Sequence, residues 1–270
     1  MEFNKIPLTR IAATLAEVMG ISPPESSEKR IDALAEYIAK RTLTGKVDRV
    51  LVFNPDAIGQ WIYEKYIEKF SPIIKYAPHV QPMLSVIPPK TPVCFASIYS
   101  GAEPSVHKID RYTKPVLKID TMFDALIRAG KKPCIISVAN QSMDKIFKER
   151  DMAYYSLSYD GEVIEKALEL IERDEYDFIA VYNQEYDDCM HRTHPQSKCS
   201  LAALDHYAAN FERMAKAVMQ YWGEHDTLLA LITDHGVHRE WFGLGQHGKN
   251  IPKDMNIAHF YGVIPKNIAK

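Results

Sequence analysis

Short groups of acidic residues and histidines follow apolar segments of this sequence. The segment TLLALI is followed closely by Asp234, His235 and Gly236. Carboxylate oxygens and imidazole nitrogens are good ligands for divalent cations, so the pair is a candidate metal site. An aspartate and a glycine would also suit an ordinary turn, and that alternative stays open for this segment taken alone.

The same residue types recur after other apolar segments. Asp56 follows RVLVF, Asp187 and His191 lie four residues apart after DFIAVY, and His247 lies between glycines in GLGQHGKN. Each residue alone fits a helix cap, a solvated helix face or a loop. Together the four groups contain three carboxylates and three imidazoles, which is enough for two divalent ions with three protein ligands each.

The pattern of apolar residues places these groups at the ends of strands. Short apolar runs suit buried parallel strands at 49–53, 134–139, 177–182 and 227–232. Helical patterns lie between them, so we predict an α/β fold with a mostly parallel central sheet and helices on both faces. Sites in such sheets form at the carboxyl ends of the strands, where these residues fall.

The N-terminal part of the chain has a different pattern. Residues 4–41 predict two helices broken by ISPPESS, with Ser27 at the start of the second helix. We therefore divide the chain into an N-terminal helical extension, residues 1–45, and a catalytic α/β domain, residues 46–270.

The composition is typical of a globular protein and excludes some partners. Of 270 residues, 46% are hydrophobic and 25% charged, and the net charge is −2. Without a basic block or a long apolar run, we expect no nucleic-acid polymer and no membrane as partner. The start shows no secretory signal, and the four scattered cysteines predict free thiols and a cytoplasmic location. Cys189 and Cys199 flank one loop and could pair if oxidised, but free thiols are the expectation.

A further helix carries a hydroxyl group that could act in catalysis. KTPVCFASIYSG predicts a helix with Thr91 as N-cap, Pro92 at the first position and Gly101 just past the end. Thr91 could be only a cap. A helix start also presents backbone N–H groups to an anion, and a hydroxyl there beside two cations could attack phosphorus.

The order of these residues resembles that of the alkaline phosphatase superfamily, and within it the type I phosphodiesterase/nucleotide pyrophosphatase family. KTPVCFASIYSGAEPSVHKI is similar to the family's nucleophile segment, with Thr91 at the nucleophile position and Gly101, Pro104 and His107 in step. YNQEYDDCMHRTHP resembles the family's segment in which an aspartate and a histidine lie four residues apart, here Asp187 and His191. TDHG resembles the family's Asp–His pair, and GQHGKN resembles the segment with its last metal-binding histidine. The resemblance covers about residues 48–265.

This resemblance implies a hydrolase of phosphoric esters with two divalent metal ions, zinc being expected and manganese the alternative. The implied ligands form two groups: Asp56, Asp234 and His235 for one ion, and Asp187, His191 and His247 for the other. The first ion would also contact Thr91. The substrate would be a small phosphate ester or nucleotide, and Thr91 would attack in line to give a phosphoryl-threonine that water releases.

The sequence departs from the family near the nucleophile. Cys94 stands where the family usually has an asparagine that contacts a phosphoryl oxygen, and a thiol is a poor donor. Cys94, Lys90 and Arg192 are the candidate substrate contacts. The chain is too short for the large cap domain of the superfamily's sugar-phosphate mutases.

Three other functions compete with that of a phosphodiesterase. A phosphomonoesterase of the same superfamily and a non-catalytic metal- or ligand-binding relative remain alternatives. A sulfatase fits poorly, because the C/S-x-P-x-R motif of sulfatases contains an arginine that TPVCF lacks.

Overall fold

A seven-stranded sheet forms the centre of the computed structural model, which describes residues 1–241 and 243–267. The strands, in chain order, are β1 (Arg49–Pro55), β2 (His79–Leu84), β3 (Pro133–Val138), β4 (Ala153–Leu157), β5 (Phe178–Asn183), β6 (Thr227–Leu231), β7 (His238–Arg239), β8 (Gly245–Gln246) and β9 (Asn256–Ile264). The order across the sheet is β2-β9-β6-β1-β5-β3-β4, and β7 pairs with β8 in a separate two-stranded ribbon.

Helices connect the strands and cover the sheet. They are α1 (Ile11–Val18), α2 (Asp32–Ala39), α3 (Gln60–Lys65), α4 (Ser71–Tyr76), α5 (Thr91–Ser100), α6 (Pro104–His107), α7 (Met122–Arg128), α8 (Ser142–Ile146), α9 (Asp160–Arg173), α10 (Glu185–Arg192), α11 (Lys198–Tyr221) and α12 (Pro252–Met255). Two 3₁₀ turns span Leu8–Arg10 and Ile67–Phe70.

The alternation of side chains along β1 shows why both faces of the sheet are covered. Val50 and Val52 belong to one apolar core and Leu51 and Phe53 to the other, and all four are buried. A strand that is apolar at every position buries both faces, which requires helices on each side. The predicted α/β architecture without a large cap domain is confirmed.

The sheet is mostly parallel, as predicted. β1 runs parallel to β5 and β6, and β3 runs parallel to β4 and β5. The last strand, β9, is antiparallel to both β6 and β2. The four predicted strands are present, whereas β2, β4 and β9 were not predicted.

The N-terminal residues pack against the body of the protein. Helix α1 is almost wholly buried, and Leu8, Ile11 and Leu15 share an apolar core with Val50 and Val52 of the central sheet. The two predicted helices exist, but the second begins at Asp32 with Ile31 as N-cap, so the prediction of Ser27 as its start is wrong. The domain limit at residue 45 stays a prediction.

The prediction of free thiols needs correction. Cys189 and Cys199 form a disulfide that joins α10 to α11, so the free thiols expected there are wrong; Cys94 and Cys134 are free and buried. The two paired cysteines lie ten residues apart and flank one loop, so the sequence indicated their proximity but not their oxidation state.

Candidate metal centre and nucleophile

The first acidic group forms where two neighbouring strands end. Asp56 follows β1, and Asp234 and His235 follow β6, which pairs with β1. All three side chains are buried. Nε2 of His235 lies 3.2 Å from Oδ2 of Asp234 and 3.6 Å from Oδ1 of Asp56. The three predicted residues therefore meet at one point.

The hydrogen bonds at this point leave acceptor atoms facing one another. His235 donates from Nδ1 to the carbonyl of Gly236 at 3.1 Å, so its Nε2 carries a lone pair. Oδ1 of Asp56 and Oδ2 of Asp234 are buried without a hydrogen-bond partner. Buried acceptors without donors are costly, and a cation among them would satisfy all three. The donor set fits Zn²⁺ or Mn²⁺.

Burial changes the ionisation of this group. Desolvation raises the pKa of Asp234 to about 7, and desolvation together with the charge of Asp234 raises that of Asp56. Desolvation lowers the pKa of His235 to about 3, which keeps the imidazole neutral. Without a counter-charge, the two carboxylates resist ionisation and the imidazole stays neutral. This combination is expected of a site that binds a cation.

The second group lies on α10 and on the loop after β8. Oδ1 of Asp187 lies 3.3 Å from Nε2 of His191 and 3.7 Å from Nε2 of His247. His247 donates from Nδ1 to the carbonyl of Pro89 at 3.0 Å, so its Nε2 also carries a lone pair, and Oδ1 of Asp187 has no hydrogen-bond partner. This half-buried group offers a second cation one carboxylate and two imidazoles.

The two groups adjoin each other. The rings of His235 and His247 stack with centroids 4.0 Å apart, and the ring centroids of His191 and His247 are 5.1 Å apart. The ligand atoms group into the same two triads that the family resemblance implied. Two cations held side by side could both act on one phosphate.

Glycines allow the ligand segments to approach their neighbours. A Cβ at Gly236 would lie 2.1 Å from the carbonyl oxygen of Lys253, and one at Gly245 would lie 2.5 Å from that of Met190. Only glycine fits such approaches of backbone to backbone. Gly236 therefore follows the Asp–His pair because the chain must pass against another loop directly after it.

The predicted nucleophile lies beside the first group. Oγ1 of Thr91 is 3.3 Å from Nε2 of His235, and Thr91 is 4% exposed. Thr91 is the first residue of α5, and the N-cap is Lys90, so the prediction of Thr91 as N-cap is wrong by one position. Thr91 lies in the first turn of α5, so its hydroxyl does not cap the helix and instead faces His235. Gly101 ends the helix in the left-handed conformation, as predicted.

The structure separates the three candidate substrate contacts. Lys90 lines the cavity above the two groups, which has a volume of about 370 Å³. Cys94 is fully buried, contacts Oγ of Ser85 and does not line the cavity; desolvation raises the pKa of its thiol. Arg192 is exposed on the far turn of α10 and contacts Cys189, so it does not line the cavity either.

Several polar residues of the cavity wall were missed by sequence reasoning. Tyr182 donates to Oδ2 of Asp56 at 2.5 Å, where the sequence shows only one more apolar residue of a strand. The other missed residues of the wall are Tyr112, Gln141, Gln184, Asp188 and Gln246. Gln141, Gln184 and Asp188 follow predicted strands and could have been proposed from that position. Tyr112 and Gln246 carry no such signal.

The fold belongs to the class of alkaline phosphatase-like α/β folds. Human ectonucleotide pyrophosphatase/phosphodiesterase 5 has a similar structure, with a TM-score of 0.64 and 13% identity over 80% of this chain and 88% of that one. The murine enzyme of the same name, inactive and in complex with AMP, gives a TM-score of 0.59 and 18% identity over 71% of this chain and 58% of that one.

The same fold serves a different chemistry elsewhere. A 2-O GAG sulfatase gives a TM-score of 0.58 and 13% identity over 80% of this chain and 64% of that one. No family model matches the sequence, and no curated protein matches it. At such identities the likeness shows the fold, so the activity must be argued from the site.

Proposed function

We propose that this protein is a hydrolase of phosphoric esters that uses two divalent metal ions and Thr91 as nucleophile. The observation that carries the proposal is the position of the Thr91 hydroxyl, 3.3 Å from His235 and beside two groups of buried acceptors without donors. A threonine that served only as a cap would have no reason to lie there. The solved relative with AMP supports a small phosphate ester or nucleotide as substrate.

The residues present fit the two ions. Asp56, Asp234 and His235 would hold one, and Asp187, His191 and His247 the other, which is the grouping of the ligand atoms in the structure. Bound there, the ions would supply the positive charge that favours deprotonation of the Thr91 hydroxyl and neutralises the phosphate. Zinc is the expected ion and manganese the alternative.

The chain's own groups then account for the reaction. Oγ1 of Thr91 attacks phosphorus, the bond to the leaving alcohol breaks, and a phosphoryl-threonine remains until water cleaves it. Lys90, at the start of α5, faces the phosphate from the cavity wall. The thiol of Cys94 contacts Ser85 and does not reach the phosphate. The phosphoryl oxygen would therefore accept hydrogen bonds from backbone N–H groups in the first turn of α5.

The decisive experiment compares substitutions of Thr91. Thr91→Ala should reduce kcat for bis-p-nitrophenyl phosphate by several orders of magnitude with zinc still bound, whereas Thr91→Ser should keep measurable activity. Acid quenching of the wild type during turnover should trap a p-nitrophenyl phosphoryl group on Thr91, because the attack releases only one of the two p-nitrophenolates. Thr121→Ala is the matched control, since Thr121 is a helix N-cap away from the site and should cost about 1 kcal/mol of stability without loss of kcat. Full activity of Thr91→Ala would refute the covalent mechanism.

The choice between diesters and monoesters is a separate proposal. We expect diesters to be cleaved at least as well as monoesters, because Lys90 is the one lysine or arginine among the described residues of the cavity wall and a monoester dianion needs more positive charge. The ratio of kcat/KM for bis-p-nitrophenyl phosphate and p-nitrophenyl phosphate measures this. A strong preference for the monoester would favour the phosphomonoesterase alternative.

The cellular location stays a prediction. No helix among the described residues is long and apolar enough to cross a membrane. The cytoplasmic location was expected from free thiols, and the disulfide between Cys189 and Cys199 weighs against it, because disulfides persist in oxidising compartments.

A further inference from the structure

The wall of the cavity beyond the two metal groups consists largely of amides and a carboxylate. Gln141 precedes α8, Gln184 precedes α10, Asp188 lies on α10, and Gln246 lies on β8. These four side chains come from separate segments and face one space of about 370 Å³. None of them belongs to the six proposed ligands.

Residues outside the cavity hold two of these groups in place. Tyr159 donates to Oδ2 of Asp188 at 2.8 Å, and Gln184 donates to the same oxygen at 3.3 Å. Oε1 of Gln141 accepts a bond of 2.9 Å from Lys114. Gln141, Gln184 and Asp188 are therefore oriented before a ligand arrives, which lowers the entropy cost of binding.

The hydrogen bonds made within the protein leave specific atoms for a ligand. Oδ1 of Asp188 and Oε1 of Gln184 remain as acceptors, and Nε2 of Gln141 remains as a donor. The side chain of Gln246 makes no hydrogen bond with the described residues, so it offers both kinds of atom. A hydroxyl group donates one hydrogen bond and accepts others, so several hydroxyl groups on one ligand would match this mixture.

The wall suits a nucleobase poorly. A base is bound by flat aromatic surfaces, and the described residues of the wall include two tyrosines. Tyr182 is buried and bonded to Asp56, whereas Tyr112 is 53% exposed and has Nζ of Lys114 5.4 Å from its ring centroid. The described wall therefore offers a base one aromatic ring and no second ring to enclose it.

The charge of Asp188 also disfavours a second anionic group in its vicinity. Asp188 is a carboxylate of the wall outside the proposed ligands, and it would repel another phosphate or a carboxylate of the substrate. Lys90 is needed for the phosphate that reacts. A neutral group is therefore favoured beside Asp188.

We infer that the alcohol part of the substrate is a neutral polyhydroxylated group, such as a sugar or a cyclitol, held by Gln141, Gln184, Asp188 and Gln246. This inference rests on the proposed function, which places the phosphate between Thr91 and the metal groups. The hydroxyl groups would then extend along the amide wall.

Calorimetric titration of the zinc-supplemented Thr91→Ala variant, which lacks the proposed nucleophile and should not hydrolyse its ligands, tests the inference with three compounds. The compounds are inorganic phosphate, glucose 6-phosphate and thymidine 5′-monophosphate. We expect glucose 6-phosphate to bind at least tenfold more tightly than either of the others. Thymidine 5′-monophosphate binding as tightly as glucose 6-phosphate, or more tightly, overturns the inference. If inorganic phosphate still binds in that case, the proposed function stands. Failure to bind inorganic phosphate at all overturns both.

Substitutions show whether the wall causes the preference. Asp188→Asn keeps the size of the side chain and should reduce the affinity for glucose 6-phosphate at least fivefold more than that for inorganic phosphate. Tyr159→Phe, which removes the bond that holds Asp188, should act in the same direction with a smaller effect. Asp205→Asn, on the exposed face of α11, is the control and should change neither affinity. An unaltered ratio in both wall variants overturns the assignment of the site.

Discussion

Asp234→Asn should stabilise the metal-free protein, and the stabilisation should increase with pH. Without a cation, burial raises the pKa of Asp234 to about 7, whereas an aspartate in the unfolded chain titrates near its ordinary value of about 4. Between these values the folded protein binds a proton that the unfolded chain has lost. The contribution of Asp234 to stability therefore falls as the pH rises from about 4 to about 7. Asparagine does not titrate, so the variant escapes this loss.

The magnitude follows from the size of the shift. Each pH unit within this interval changes the contribution of Asp234 by about 1.4 kcal/mol, so the advantage of asparagine should grow by about 3 kcal/mol from pH 5 to pH 8. For a chain of this length that equals roughly 6 to 12 °C in the midpoint of thermal unfolding. The asparagine amide can also donate to the unpaired Oδ1 of Asp56 while its oxygen keeps the bond from Ala57.

The assay is urea or thermal unfolding of both proteins in EDTA at pH 5, 6, 7 and 8. The difference between variant and wild type is the measured quantity, because buried histidines act in the opposite direction in both proteins. Burial lowers the pKa of His107 and of His259 to about 4, so their contribution to stability rises with pH from about 4 to about 6.5. Zinc should reverse the order of stability, since only the wild type keeps the full first ligand group.

Two results would refute this reasoning. The first is a pH-independent difference between Asp234→Asn and wild type in EDTA, which would mean that Asp234 is not forced to bind a proton in the folded protein. The second is an equal stabilisation of both proteins by zinc, which would mean that Asp234 is not a ligand. Asp205→Asn, at an exposed ion pair with Lys69, should show no pH dependence and serves as the control.

Three further substitutions test other parts of the site. Cys199→Ser should lower the free energy of unfolding in urea by about 3 kcal/mol under non-reducing conditions, because the disulfide closes a loop of 10 residues. In dithiothreitol, which reduces the wild-type disulfide, the variant and the wild type should unfold alike. Asp254→Ala should weaken zinc binding at His247 about tenfold, measured by competition with a chelator, because Asp254 bonds the backbone N–H of Lys249 and the ring of His238. Gly236→Ala should destabilise the protein by more than 2 kcal/mol in a thermal melt, because its Cβ would lie 2.1 Å from a backbone oxygen.

The parts of the fold that the sequence predicted are those with two buried faces. β1, β3, β5 and β6 read as continuous apolar runs because both of their faces are covered. β4 lies at an edge of the sheet with its residues half-buried or exposed, and β2 lies at the other edge and contains Pro82. Edge strands lack the continuous apolar signal, so they were missed.

β9 was missed for a different reason. It lies inside the sheet between β2 and β6, but its buried part contains Asn256 and His259. His259 bonds the carbonyl of Thr233 at 2.7 Å, and Asn256 bonds the N-terminal segment at Glu2 and Asn4. Buried polar residues with partners far along the chain look like surface residues in a sequence, because their partners cannot be seen there.

Strand order explains why the candidate ligands could be named from the sequence, whereas their grouping could not be derived from spacing alone. Asp56 and Asp234 are 178 positions apart, yet β1 and β6 are neighbours, so their carboxyl ends meet. β5 lies on the other side of β1, and α10 after it carries Asp187 to the adjacent position. His247 reaches Asp187 only because the β7–β8 ribbon folds back toward α10. The residue types and their place after strands are local properties and were readable, whereas the grouping follows from a sheet order that local patterns do not contain.

The cavity wall is a stronger case of the same rule: Gln141, Gln184 and Gln246 are ordinary polar residues until the fold turns them toward one space. Substrate preference, unlike the reaction class, therefore has to be inferred from the folded protein.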